Sequence, residues 1–247
     1  MLKTIIRCTF MLTFLTVGLV DAEPKATHPK QINLVYDVTR NGQPFATVTE
    51  SYKQSEHQYH IVSVTKGLGV YALLGERKLT SDGVVTAEGL KPNHFELRQG
   101  DNAKKWLATD FDWVNNKLNM TIKDAVETAP LLTGTQDLVS YLYQFMFESL
   151  AKNNQADIVI NVATGKKLKP YTFKVATHDE TLTLAAGSFK STQLSSVQEN
   201  NQENSDASRD DRQIWLANEQ YNLPIRLIMH DGKGGVIEQN LKSLQFE

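Results

Sequence analysis

Residues 137–152 read DLVSYLYQFMFESLAK, and this stretch decides the fold because almost everything around it has a different rhythm. Leu138, Tyr141, Leu142, Phe145, Met146 and Leu150 recur at three- and four-residue spacings. That spacing puts them on one face of an amphipathic helix. Thr133 and Gln136 stand at capping-box spacing, and Asp137 falls where a carboxylate meets the positive end of the helix dipole. Asn153-Asn154 follows Lys152 as a stop. The pattern predicts a helix over residues 136–152.

Outward from this helix, on both sides, the period is two. Ile32, Leu34, Tyr36 and Val38 alternate with polar or smaller residues, and Asn41-Gly42 supplies a hairpin turn before a returning strand at 44–53. Similar runs occupy 59–65, 77–81, 84–88, 94–98, 105–113 and 118–123, with 94–98 and 105–113 read as a hairpin around Gly100-Asp101-Asn102. Beyond the helix they occupy 156–163, 171–177, 180–185, 189–197, 212–217, 224–230 and 236–246. Residues 66–74 are interrupted by Gly67 and Gly69, with Gly75 just beyond, and read as a bent or bulged strand. Strands in this number with a single apolar helix predict a mainly β protein: a strongly curved antiparallel sheet, an open or partial barrel, wrapped around the helix. A two-sheet β-sandwich is the alternative.

The N-terminus carries Lys3 and Arg7, an uncharged apolar run at 8–20, and Val20-Asp21-Ala22 with small residues at the −3 and −1 positions. This predicts a signal peptide over 1–22, cleaved after Ala22. The run is shorter than the roughly 20 residues a spanning helix needs. A polar leader at 23–31 then precedes a single β-rich domain at 32–247, in which 198–211 is almost wholly polar and reads as a loop. Cys8 is the only cysteine. It precedes the cleavage point, so lipidation is not expected. The mature chain has no thiol for a disulfide, for nucleophilic catalysis or for zinc.

Removing Lys3, Arg7 and Asp21 from 26 basic and 28 acidic residues leaves 24 and 27, a net charge of −3. No basic cluster stands out along the chain, so nucleic acid is not expected as a partner and an anionic membrane surface is a poor one. No later apolar run could serve as a transmembrane anchor.

Residues for chemistry are sparse. The six histidines show no metal-ligand spacing, and Gly-x-Ser-x-Gly and phosphate loops are missing. No catalytic residue, metal or cofactor is therefore expected. Asp110 and Asp112 share one strand face, with Phe111 and Trp113 on the other. A pair so close could share a proton or bind a cation, although ordinary solvent exposure is the expectation. The third and least favoured function, a hydrolase of envelope polymers, would depend on Asp110, Asp112 or a histidine. Phe111, Trp113 and Trp215, with Tyr141 and Phe145 of the helix, are expected on the concave side of the sheet. There they either fill a core or line an apolar groove for a lipid or other apolar ligand.

Seven stretches carry a family likeness: Tyr36-Asp37-Val38, Ser81-Asp82-Gly83, Gly89-Leu90-Lys91-Pro92, Phe111-Asp112-Trp113, GTQDLVS at 134–140, Ile214-Trp215-Leu216 and Leu223-Pro224-Ile225-Arg226. In this order they resemble the bacterial family called domain of unknown function 3108, and they span nearly all of the mature chain. The resemblance implies an exported protein of a Gram-negative bacterium, periplasmic and all-β with a helix against the sheet. It implies no reaction. Its look is similar to the curved-sheet lipoprotein-localisation carriers, which hold acyl chains in their concavity. The expected function is a non-enzymatic periplasmic binding or envelope-maintenance protein, engaging an apolar ligand or an envelope protein. The alternative is a structural interaction module with a filled core.

Overall fold

Hydrophobic alternation on so many consecutive segments can be satisfied by one long meander, and that is the arrangement found. The computed structural model describes residues 28–101, 105–123, 125–150, 157–197, 211–230 and 234–247. The signal segment and nearly all of the polar stretch at 198–211 lie outside the described residues. Among those described, fifteen strands make one sheet. They are β1 (Gln31–Arg40), β2 (Gln43–Ser55), β3 (Gln58–Gly67), β4 (Arg77–Thr86), β5 (Gly89–Gln99), β6 (Leu107–Asp112), β7 (Lys117–Ile122) and β8 (Ala125–Pro130). The rest are β9 (Gln136–Asp137), β10 (Ile158–Ala163), β11 (Leu168–Leu184), β12 (Gly187–Ser196), β13 (Arg212–Ala217), β14 (Leu223–His230) and β15 (Val236–Phe246). One helix, α1 (Ser140–Gln144), continues as a 3-10 turn over Phe145–Phe147.

The order is β8 to β1, then β15 down to β9, so the first and last strands pair at the centre. Every pairing is antiparallel except β9 with β10. The sheet is curved and not closed, with β8 and β9 at its edges. Its ends approach through side chains. Gly165, in the β10–β11 turn, lies so near β6 that a Cβ there would sit 3.1 Å from the Cβ of Leu107. A small cluster of Leu79, Phe95, Phe111, Leu118, Leu131 and Ala163 joins the two ends. The main cluster packs Ile32, Leu34, Tyr36, Tyr52 and Ile61 from one wing and Phe173, Leu194 and Ile214 from the other against α1.

The curved sheet around a helix is therefore the architecture, as one sheet rather than a sandwich. Two local expectations are corrected. The helical stretch is 140–147 and not 136–152, because Gln136 and Asp137 are committed to β9. Asp137 Oδ1 accepts hydrogen bonds from the backbone N–H of Val139 (2.9 Å) and Ser140 (2.8 Å), while Ser140 Oγ accepts from the Asp137 N–H (2.9 Å). This reciprocal pair does the capping that the spacing assigned to Thr133 and Gln136. Secondly, residues 69–74 form an exposed 3-10 helix (Gly69–Leu74), because Gly69 and Gly75 take positive φ angles that strand pairing cannot use. Two further segments differ in detail: 171–177 and 180–185 belong to the single long β11, and β8 had no counterpart in the sequence reading.

Candidate functional site

The concave side is built from alternation. On β2, Ala46, Val48, Glu50 and Tyr52 share a buried face, so the pleat carries a carboxylate into the core. Glu50 accepts hydrogen bonds from Ser63 Oγ of β3 (3.0 Å) and Tyr143 OH of α1 (3.2 Å). Burial raises its pKa, and the two donated hydrogen bonds act against that shift. The Tyr143 ring stacks on Tyr52 at 5.5 Å, and Tyr36 OH donates to the carbonyl of Pro224 (2.7 Å).

A second buried carboxylate stands at the start of the helix. Ser81 Oγ donates to Asp137 Oδ2 (2.5 Å), and Tyr59 OH lies 3.1 Å from Ser81 Oγ. With its one hydrogen used on Asp137, Ser81 accepts from Tyr59. Burial raises the Asp137 pKa, opposed by the backbone and Ser81 hydrogen bonds. Gln144 completes the seat of the helix: Oε1 accepts from the Leu90 N–H (2.8 Å) and Nε2 donates to the Glu88 carbonyl (3.0 Å). A Cβ at Gly89 would come within 2.3 Å of that amide, which is why a glycine stands there.

The aromatics expected to line one concavity do not gather in one place. Tyr141, Phe145 and Trp215 are all members of the main cluster. Phe111 belongs to the smaller cluster, and Trp113, in the turn after β6, packs against the same cluster with its ring stacked on Phe111 (6.1 Å), its Nε1 donating to the Pro92 carbonyl (2.6 Å) and Lys91 4.9 Å from its ring. Trp215 has Gln193 and Arg226 as cross-strand partners, and the guanidinium of Arg226 lies 4.9 Å from its ring. Asp110 and Asp112 have separate partners. Asp110 bonds His94 Nδ1 (2.6 Å), while Asp112 binds the backbone and side chain of Asn115. Glu96 faces the other ring nitrogen of His94 at 3.6 Å, so the two carboxylates do not converge on one point. Among the described residues no group of three His, Cys, Asp or Glu side chains could hold a metal ion, and no helix is long and apolar enough to cross a membrane.

Residues 35–242 match the family described as Protein of unknown function (DUF3108). The chain belongs to this family. The stretches that carry the family likeness meet one another inside the fold: Tyr36 with Pro224, Ser81 with Asp137, Gln136 with Leu90, Trp113 with Pro92, and Trp215 with Arg226. The likeness is thus a set of internal joints. Among solved structures the chain is similar to a beta-barrel-like protein of another domain of unknown function, DUF1849, from Brucella abortus. The TM-score is 0.53 at 11% identity, covering 90% of this chain and 100% of that one. This likeness is one of fold. A LolA superfamily protein from Nitrosomonas europaea superposes with a TM-score of 0.20 at 12% identity, over 89% of this chain and 86% of that one. A comparison with curated proteins gives no match.

Glu50 is the residue that sequence reading missed. Its signal was available: in Ala46-Thr47-Val48-Thr49-Glu50-Ser51-Tyr52 the period of two puts Glu50 between Val48 and Tyr52 on the apolar face.

Proposed function

We propose that this chain is an exported, non-enzymatic binding protein of the bacterial cell envelope, working in the periplasm. Its sheet is a filled scaffold, and its partners are met at its outer surface. The observation that carries this reading is the occupant of the concave side, which is the chain itself. All five residues of α1 are buried, and Tyr143 and Phe145 expose no surface at all. An apolar ligand would have to displace side chains already packed at the density of a protein core. The two buried carboxylates are also engaged, Glu50 with Ser63 and Tyr143 and Asp137 with Ser81 and the helix backbone. Export is supported by the signal pattern at 1–22.

The test is native mass spectrometry of protein purified from the periplasm without detergent, followed by solvent extraction and lipid analysis. The expected result is a bare mass for a chain starting at Glu23. A co-purifying acyl species would overturn the filled scaffold and make the groove beside Tyr141 and Phe145 a carrier site. A chain retaining residues 1–22 would overturn export.

A further inference from the structure

Of all the surface, the connection between β3 and β4 is the most anomalous. Within seven residues Leu68, Val70, Leu73 and Leu74 are 42%, 75%, 90% and 58% exposed, and no residue of Gly69–Leu74 is buried. Single exposed aliphatics are ordinary, but a contiguous group marks an interaction site. The segment is also held in place. The Tyr71 ring packs edge-on against Phe45 at 4.6 Å, Leu68 N–H donates to the Phe45 carbonyl, and Gln99 Nε2 donates to the carbonyls of Leu74 and Gly75. A Cβ on Gly67 would meet the Tyr71 carbonyl oxygen at 2.3 Å, and one on Gly75 would meet the Gly100 Cα at 2.9 Å. Glycine on both sides and one inward aromatic fix a knuckle whose aliphatic side chains point to solvent.

The charge around it has a sign. In a meander alternate turns lie at opposite ends of the sheet. Lys66, Lys78 and Arg98 stand at the ends of β3, β4 and β5 beside the knuckle, and the connections after β5 and β7 on the same side add Lys105 and Lys123. Against them the same connections carry Glu76, Asp101 and Asp124; Glu76 is ion-paired to Lys66 (3.3 Å) and Glu96 of β5 to Arg98 (3.0 Å), which leaves Lys78, Lys105 and Lys123 to set the sign. The opposite end carries Glu56, Glu88, Glu219 and Glu247 against Lys30 and Lys117. A chain of net charge −2 therefore has a basic shoulder around its apolar knuckle. These basic residues are scattered along the sequence and are gathered by strand pairing.

We propose that the 68–74 knuckle and its basic shoulder dock on an anionic phospholipid surface. The proposal names a partner for the surface module described above and rests on that reading only in placing the work outside the core. A protruding aliphatic tip suits the shallow boundary between headgroups and acyl chains, whereas protein hot spots favour aromatic anchors seated in pockets. Each lysine or arginine near such a surface contributes about 1 kcal/mol, screened by salt.

The experiment is flotation of the mature protein with vesicles of phosphatidylcholine alone and of phosphatidylcholine mixed with phosphatidylglycerol. Binding is expected to the mixed vesicles, and to weaken as salt is raised. The double variant Val70→Glu with Leu73→Glu is expected to lose binding by about tenfold or more, equivalent to at least 1.4 kcal/mol. Lys78→Glu with Arg98→Glu is expected to weaken it several-fold. Val159→Glu, at an exposed apolar site on β10, controls for unspecific effects and is expected to bind normally. Thermal unfolding of each variant checks the fold. No flotation of the unaltered protein at low salt would overturn the proposal, as would flotation that survives the double substitution. Cross-linking of the knuckle to a protein in intact cells, without vesicle binding, would overturn it in favour of a protein partner. A bare native mass with no flotation sinks this proposal alone. A co-purified lipid lost with the knuckle intact sinks the filled-core reading alone.

Discussion

Residues 140–147 and the Gly69–Leu74 segment are both short, both helical and both rich in large apolar side chains. In the first every residue from Ser140 to Met146 is buried, and in the second none is. Apolarity therefore does not separate them. Their polar and glycine neighbours do. The buried segment brings Asp137, Ser140 and Gln144, each paired to backbone or to Ser81, so its ends can leave water without orphaned groups. Apart from Tyr71, the exposed one carries no polar side chain of its own, and only Gln99 of β5 reaches its C-terminal carbonyls. Glycines at 67 and 75 turn the chain outward, and Tyr71 alone ties its side chains to the body through Phe45. The first segment is a piece of the fold, while the second is a feature the fold carries.

The comparison is broken most severely by truncating the buried segment. Phe145→Ala removes a ring with no exposed surface that lies 6.0 Å from Phe173. It is expected to cost about 3–5 kcal/mol, measured by urea unfolding. A loss under about 1 kcal/mol would mean that the concave side is loosely packed, and would reopen the groove reading.

A sharper and smaller effect concerns pH. Burial raises the pKa of Glu50, with Tyr143 of α1, Ser63 of β3 and Tyr36 of β1 around it. Between its unfolded value, near 4.3, and its raised folded value the native state holds the extra proton. The stability this contributes is complete below the unfolded pKa and is lost as pH rises through the folded one. Asp137 shifts in the same direction, also through burial. His94 is raised as well: burial alone would lower it, but Asp110 and Glu96 outweigh that. Its contribution is lost as pH rises above about 6.5. Unfolding free energy is thus expected to decline as pH rises above the unfolded carboxyl values through the raised folded ones, by at most about 1.4 kcal/mol per pH unit for each of the two buried carboxyls, with a smaller, solvent-screened contribution from the part-exposed His94. Glu50→Gln keeps an acceptor for Ser63 and Tyr143 but cannot ionise. It should flatten the decline and make the protein more stable on the alkaline side of the folded Glu50 titration. An unchanged slope would show that Glu50 titrates as an exposed carboxyl does.

Much of this fold was legible in the sequence because alternation is a strong signal: Ile32, Leu34, Tyr36 and Val38 are inside as read. The helix was legible as an element but not in its length, since periodicity does not show that Gln136 and Asp137 pair with Val162 and Ala163 of a strand far along the chain. Among the site residues, Tyr141, Phe145 and Trp215 lie in the main core. Phe111 and Trp113 stay together as the alternation implied, their rings stacked at 6.1 Å, but in the smaller cluster rather than beside the helix. The glycines around the knuckle were noticed but read as a bulge. A bulge and an outward turn both need glycine, and local sequence does not distinguish them. The basic shoulder had no linear signature, because strand pairing alone brings Lys66, Lys78 and Arg98 together.

The smallest effect is the one expected at the tip. Leu73 is 90% exposed, so its side chain has as much water around it in the native state as in the unfolded one. Leu73→Ala removes no cavity-lining atom and no hydrogen bond, and its stability should change by less than about 0.5 kcal/mol. The contrast with Phe145→Ala is then several-fold for two large apolar side chains on short helical turns of one chain. Retaining Leu73 brings no folding benefit that could explain a leucine there. If it does cost 2 kcal/mol or more in urea, as a roughly buried leucine would, the knuckle folds back onto the body in solution. The exposed surface on which vesicle docking depends would then not exist. If the small value holds while membrane binding falls, the tip is tied to binding alone.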